Sequence, residues 1–192
     1  MRVVVFALLL SGCTGALGPK SPSKPTRLFS PEDAAVTTTS AVVAAGAPKI
    51  RLGRVTASAS LRTRIVHRDS PFELGVYETL RWTDNPDVFV RRALARALFD
   101  DGRAERAVFG NVPTLDVDVV AFEVQRDKTR RSGRVELRWD LHDDAHTIAS
   151  GVASSEETAA APNMDAIVEA IGRALHETTQ NIATTSVAAA RR

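Results

Sequence analysis

Two hydrophobic periods that no single kind of layer can satisfy follow each other in the second half of this chain. Val135, Leu137, Trp139 and Leu141 alternate with Arg134, Glu136, Arg138 and Asp140, the pattern of a strand with one buried and one wet face. After a turn at His142–His146 and a return strand from Thr147 to Ala153, Pro162-Asn163 opens a different regime. Met164, Ile167, Val168, Ile171, Leu175 and Ile182 recur at helical spacing over about five turns. A sheet and a helix with one apolar side each must cover one another, so the fold class is α+β.

The rest of the sequence extends that frame. Ile50 and Leu52 alternate with Arg51, and Gly53 resets the phase before Val55, which predicts a bulge. Leu61–Val66 runs extended into the turn signal Asp69-Ser70-Pro71, and Phe72, Leu74 and Val76 then alternate as the expected buried face of another strand. Asn85-Pro86-Asp87 has the N-cap, first-turn proline and early acid of a helix start. Phe89, Val90, Ala93, Leu94, Ala97 and Leu98 form its apolar stripe, and Asp100-Asp101-Gly102 stops it. A short extended piece is expected at Ala107–Phe109. Leu115, Val117 and Val119 share one parity while Val120, Phe122 and Val124 share the other, which places a bulge or a bend between them. Arg126 to Arg134 is expected to be a polar hairpin loop closed around Ser132-Gly133, and the Ala-rich tail to Arg192 is expected to fray. The architecture is a single α+β domain: a mixed or antiparallel sheet with both amphipathic helices mainly on one face, the other face partly wet.

The N-terminus has a different logic. Arg2 precedes an apolar run, Val3–Leu10, and Leu10-Ser11-Gly12-Cys13 places the single cysteine directly after small residues. A positive start, a short apolar stretch and small residues at a processing point make a secretory signal. A thiol at that point takes a diacylglycerol and becomes the new N-terminus. The alternative, a membrane span, needs about 20 apolar residues, and Gly12, Gly15, Gly18, Pro19 and Lys20 interrupt the run well short of that. Residues 1–12 are therefore assigned as signal peptide, 13–48 as lipidated N-terminus and flexible tether, and 49–188 as the folded domain. Within the tether, Arg27-Leu28-Phe29-Ser30-Pro31 is an apolar island able to add an edge strand. With its one cysteine committed to lipid, the domain has no disulfide and must be stable by packing. The 44% hydrophobic content is sufficient for that.

Catalytic chemistry finds little support. The sequence holds no Gly-rich phosphate loop, no nucleophile elbow and no second cysteine. His142, Asp143, Asp144 and His146 are the best metal candidates, but in a tight turn they are expected to be solvated rather than convergent. Asp100 and Asp101 mark a helix end. Asp116 and Asp118 share a strand face, which a wet sheet surface explains, and His67 and His176 are isolated. No cofactor is expected beyond the covalent lipid on Cys13. The net charge is +2, with the signs interspersed, so a nucleic-acid face is not expected. Arg126, Lys128, Arg130, Arg131 and Arg134 form the one basic cluster, either a soluble hairpin or a contact for anionic head groups or an acidic partner. Trp82 is either a plug beneath the first helix or a contact aromatic.

Arg64-Ile65-Val66-His67-Arg68-Asp69-Ser70-Pro71-Phe72-Glu73-Leu74-Gly75-Val76-Tyr77, followed by Arg81-Trp82-Thr83, Pro86 and an Arg/Ala/Leu helix, resembles the ABC-type transport auxiliary lipoproteins. The Phe122-Glu123 pair, the Val135–Leu141 strand and the last helix extend the resemblance over nearly the whole mature chain. His67 stands where that family more often has an aromatic. The family accompanies transporters built on MCE-domain proteins and transfers no catalytic residue; Cys13 and Trp82 are the positions that carry over. The resemblance implies a non-enzymatic lipoprotein, facing the periplasm and usually in the outer membrane, that supports lipid or hydrophobic-solute traffic. Its partners would be an MCE-domain protein and its ABC permease, with the membrane reached through the lipid anchor; a homo-oligomer stays open. Thr14, rather than Asp, after the cysteine is compatible with outer-membrane sorting. Other readings are an envelope assembly lipoprotein such as an activator of a cell-wall synthase, then a lipid carrier or envelope enzyme.

Overall fold

The computed structural model of the protein describes residues 24–32, 41–127 and 129–192. The lipobox, Cys13 and Lys128 lie outside the described residues. The described residues form eight strands and two helices. The strands are β1 (Arg27–Phe29), β2 (Lys49–Ala57), β3 (Arg64–Ser70), β4 (Glu73–Trp82), β5 (Glu105–Arg106), β6 (Thr114–Arg126), β7 (Arg131–His142) and β8 (Thr147–Thr158). Helix α1 (Pro86–Ala95) continues as a π-helical turn, Arg96–Asp100, and α2 spans Met164–Ala190. This is the expected α+β domain, and of the mixed and antiparallel sheets left open by the sequence it has the mixed one.

The sheet is built around β6. On one edge β7 pairs antiparallel along its whole length, from Thr114↔His142 to Arg126↔Arg131. On the other edge two strands share it end to end, both parallel: β2 beside Leu115–Val119 and β3 beside Glu123–Gln125. The edge strand β8 pairs with β7, β4 with β3, and β1 lies parallel on β4 through Arg27↔Leu80 to Phe29↔Trp82. Both expected breaks in phase are present as register shifts, between Leu52 and Val55 and between Val119 and Ala121. The second lets β6 bury Leu115, Val117 and Val119 and then Phe122 and Val124 on the same side.

The helices lie side by side on that side, α2 over β7 and β8, α1 over β2 and β6. Ile171 meets the sheet at Gly133, where a Cβ would stand 2.5 Å from the Ile171 backbone nitrogen. Ser132 and Gly133 are therefore strand residues beneath a helix rather than the tip of a loop, since β7 already begins at Arg131. Asn85 occupies the N-cap of α1 with Pro86 in the first turn. The helix stops at Gly102, which takes φ +70°, a backbone state that glycine adopts without strain. The C-terminal tail does not fray at its start: it stays helical to Ala190, with Ser186 and Val187 buried. Alanine is the best helix former, and one apolar side is enough to dock the extra turns.

Three further expectations change. The sheet includes Arg27–Phe29, so it begins ahead of residue 49, and the apolar island does form an edge strand. The short strand after α1 is Glu105–Arg106, paired with Lys49–Ile50, while Val108 and Phe109 are 76% and 86% exposed in the loop beyond it. Phe72, Leu74 and Val76 are not buried: they are 98%, 40% and 42% exposed. Leu74 and Val76 share their sheet face with Arg68 and Val66, the face without helices, and Phe72 sits in the turn. Gly75 and Tyr77 take the other face, under the His67 ring. Alternation defines two faces of a strand but not which of them receives cover.

Candidate functional site

The two stretches that carry the family resemblance, 64–77 and Phe122-Glu123, meet on the wet face of the sheet. Because β3 and β6 run parallel with Val66 beside Glu123, Arg68 projects over the Glu123 carboxylate. Arg68 Nε donates to Glu123 Oε1 at 2.8 Å and Nη2 to Oε2 at 3.2 Å. Gln125 Nε2 donates to the same Oε1 at 2.8 Å, and Arg134 Nη1 stands 3.5 Å away. Glu123 is 2% exposed although no helix covers it; the long stems of the arginines are the cover. The hydrogen bonds from Arg68 to Glu123 hold the guanidinium above its ordinary pKa against a smaller opposing effect of burial.

The adjoining end of the sheet consists of the β3–β4 tip and the β6–β7 turn. Asp69 is paired to Arg126, Nε to Oδ1 at 2.6 Å. Burial pulls the Arg126 pKa down, and the neighbouring Tyr77 hydroxyl and Asp69 carboxylate outweigh it and raise it. His67 packs edge-on against Tyr77 with ring centroids 4.9 Å apart. Its Nδ1 lies 3.3 Å from Asp69 without forming a hydrogen bond. A histidine thus fills the packing place of an aromatic. Arg130 donates to the Thr158 hydroxyl at 2.5 Å, and Arg131 Nη1 to the carbonyls of Asp127 and Arg130. Of the basic cluster, Arg126 and Arg134 are committed to carboxylates.

Trp82 is a plug. It is 1% exposed, with its ring edge-on to Phe89 at 6.2 Å and Phe122 at 5.4 Å, so it joins β4, α1 and β6 and offers no surface to a partner. That corrects its reading as a contact aromatic: the strand ends where α1 crosses, and a residue there points inward.

The remaining candidates are separate and locally satisfied. Asp116 Oδ1 accepts the Arg54 amide at 2.7 Å and Asp118 accepts the Thr56 hydroxyl, both on the wet face in a shallow groove with Arg138 and Ser150. His142 Nε2 lies 3.7 Å from Asp116, while His146 Nδ1 lies 3.2 Å from Asp143, so the two imidazoles serve different carboxylates. The amides of Ala145 and His146 donate to Asp143 Oδ1 and lower the pKa of that carboxyl. Among the described residues no three His, Cys, Asp or Glu side chains are grouped to hold a metal ion. Asp101 closes the helix end and accepts from Gln180 at 3.0 Å; His176 is exposed on α2.

The site that sequence reasoning missed is the pairing of Arg68 with Glu123. The signal was the position of both residues inside the two quoted motifs, but only the parallel register brings them together.

Residues 30–183 match the family model described as "ABC-type transport auxiliary lipoprotein component". The fold is similar to a crystal structure from Xanthomonas campestris assigned to DUF330, with TM-score 0.69, 20% identity, and 77% of this chain and 91% of that one covered. It is also similar to a solved uncharacterized protein, with TM-score 0.63, 14% identity, and coverage of 84% and 99%. At these identities the likeness shows the fold alone. No curated protein matches the chain.

Proposed function

We propose a role for this chain from one premise: it belongs to the ABC-type transport auxiliary lipoprotein component family, whose model it matches over residues 30–183. The protein is a non-enzymatic accessory subunit of an ABC transporter. Cys13 carries the lipid, residues 14–26 tether the domain, and the domain faces the periplasm, held to the outer membrane. The transporter is of the MCE type, moving lipid or a hydrophobic solute, and the MCE-domain protein with its permease is the docking partner.

The observation that carries this reading is the coincidence of the family match with the structure: the β3–β4 motif, the Phe122-Glu123 pair and the final helix form one continuous unit through β6. Asp116 and Asp118 add to it, since both carboxylates are engaged by neighbours on the sheet. An accessory subunit needs an ordered surface rather than a reactive group.

The test is purification of the full-length, C-terminally tagged protein in mild detergent, with mass spectrometry of the proteins and lipids that accompany it. Recovery of an MCE-domain protein and permease is expected, and Cys13→Ala should remove the protein from the membrane fraction. Recovery of cell-wall synthases instead would replace this reading with an assembly-factor one, and lipid alone would replace it with a carrier.

A further inference from the structure

One end of the sheet combines features that a water-facing surface does not need. Phe72, at the tip of the β3–β4 hairpin, is 98% exposed, an uncommon setting for so large an apolar ring. Across a shallow recess lined by Ser70 and Pro71 on one side and by Arg126, Asp127, Arg130 and Glu156 on the other lies the β6–β7 turn. There Arg130 holds its guanidinium on the Thr158 hydroxyl and Arg131 on the backbone carbonyls of Asp127 and Arg130. The Asp69 carboxylate on the hairpin is neutralised by Arg126.

We propose that this end of the sheet rests on an anionic phospholipid surface, with Phe72 entering the interfacial layer and Arg130 and Arg131 meeting headgroup phosphates. An exposed aromatic beside arginines hydrogen-bonded to a hydroxyl and to carbonyls is complementary to such a surface: the ring gains apolar contact and the cations are drawn by the surface potential. The direction of the chain supports the same occupant. β1 runs parallel to β4, entering at Leu80 and leaving at Trp82, and β4 itself starts at the hairpin tip. The chain upstream of Arg27 therefore approaches the sheet from the side that carries Phe72.

The reach is sufficient. Cys13 precedes Arg27 by 14 residues, a span of at most about 50 Å when fully extended. Along β4 the tip stands eight residues before Leu80, about 26 Å at strand spacing. The proposal rests on the lipid-anchored reading above only in taking the nearby bilayer from it.

The measurement uses the full-length lipoprotein carrying Phe72→Trp; the native Trp82 and Trp139 are 1% and 6% exposed and report the core. Emission is recorded on phosphatidylcholine vesicles with and without phosphatidylglycerol, and with brominated acyl chains. The expected result is a blue shift and bromolipid quenching on the phosphatidylglycerol vesicles, most of it lost when Arg130→Glu and Arg131→Glu are added. Phe109→Trp, placed ahead of β6 at the opposite end of the sheet, should keep solvent-like emission on the same vesicles. Flotation of the wild-type protein reports the anchor separately. A protein that floats while Phe72→Trp remains solvent-like overturns the tip contact and leaves the anchor intact. A Cys13→Ala chain that floats only with phosphatidylglycerol, its tip tryptophan quenched, supports the tip contact without the anchor. Equal quenching at positions 72 and 109 overturns the proposed orientation.

Discussion

Arg68 and Glu123 are 55 residues apart in sequence and share two hydrogen bonds, at 2.8 and 3.2 Å, on a sheet face that no helix covers. The pair ties the β3–β4 hairpin to the central strand where β3 is only briefly hydrogen-bonded to it, over Val66–Arg68. Removing Glu123 alone leaves two guanidiniums gathered around a vacated site.

Glu123→Leu is therefore expected to destabilise the domain by about 3 kcal/mol, the low end for breaking a buried ion pair, because Arg68 and Arg134 keep partial access to water. Arg68→Met combined with Glu123→Leu should recover much of that loss. Urea unfolding of the two single variants and the double variant checks it, and strictly additive losses would refute the coupling.

Gly133→Ala should cost about 1–3 kcal/mol, the usual penalty for overpacking. The new methyl would meet the Ile171 backbone at 2.5 Å, and backbone cannot swing aside as a side chain does. The same substitution at Gly46, where nothing lies within 4 Å but φ is +75°, tests backbone strain alone. Thermal unfolding should rank position 133 as the more damaging.

Asp116→Asn and Asp118→Asn should leave transport-dependent growth unchanged, because each carboxylate serves a neighbouring strand residue. Complementation of a strain lacking the protein is the readout. Loss of function with an unaltered unfolding midpoint would reinstate catalysis at this groove.

The β7–β8 turn should loosen in acid. The Ala145 and His146 amides hold the Asp143 carboxyl below its usual range, so its folded pKa lies under the unfolded value of about 3.9. The contribution is present in full above the unfolded value and lost as pH falls through the folded one. Amide shifts of Ala145 and His146 should titrate together below about pH 4, and Asp143→Asn should flatten both curves.

Some of this was readable from residue order alone because it depends on local chemistry. The clean alternation of β7, the Asn85-Pro86 start of α1, the stripe of α2 and the phase breaks at Gly53 and after Val119 all appear in the structure where their spacing puts them. What was not readable depends on neighbours distant in sequence. Gly133 has the look of a turn residue until Ile171 is known to cross it. Phe72, Leu74 and Val76 have the look of a core face until the helices are seen to lie on the other side of the sheet. Trp82 left two readings open, and Phe89 with Phe122 decides between them. The Arg68–Glu123 pair needed the parallel register of β3 on β6, which no local signal encodes.

That register also governs the order in which the sheet can assemble. Arg54 of β2 waits 62 residues for Asp116, and Arg68 of β3 waits 55 for Glu123. A chain emerging N-terminus first can close the β3–β4 hairpin early, but β3 has no parallel partner, and β2 none beyond the two residues of β5, until β6 follows. Contacts of such sequence separation slow folding. Until β6 arrives, the β1–β4–β3 strands and the β2–β5 pair have no strand between them, because β6 is the strand on which both β2 and β3 pair.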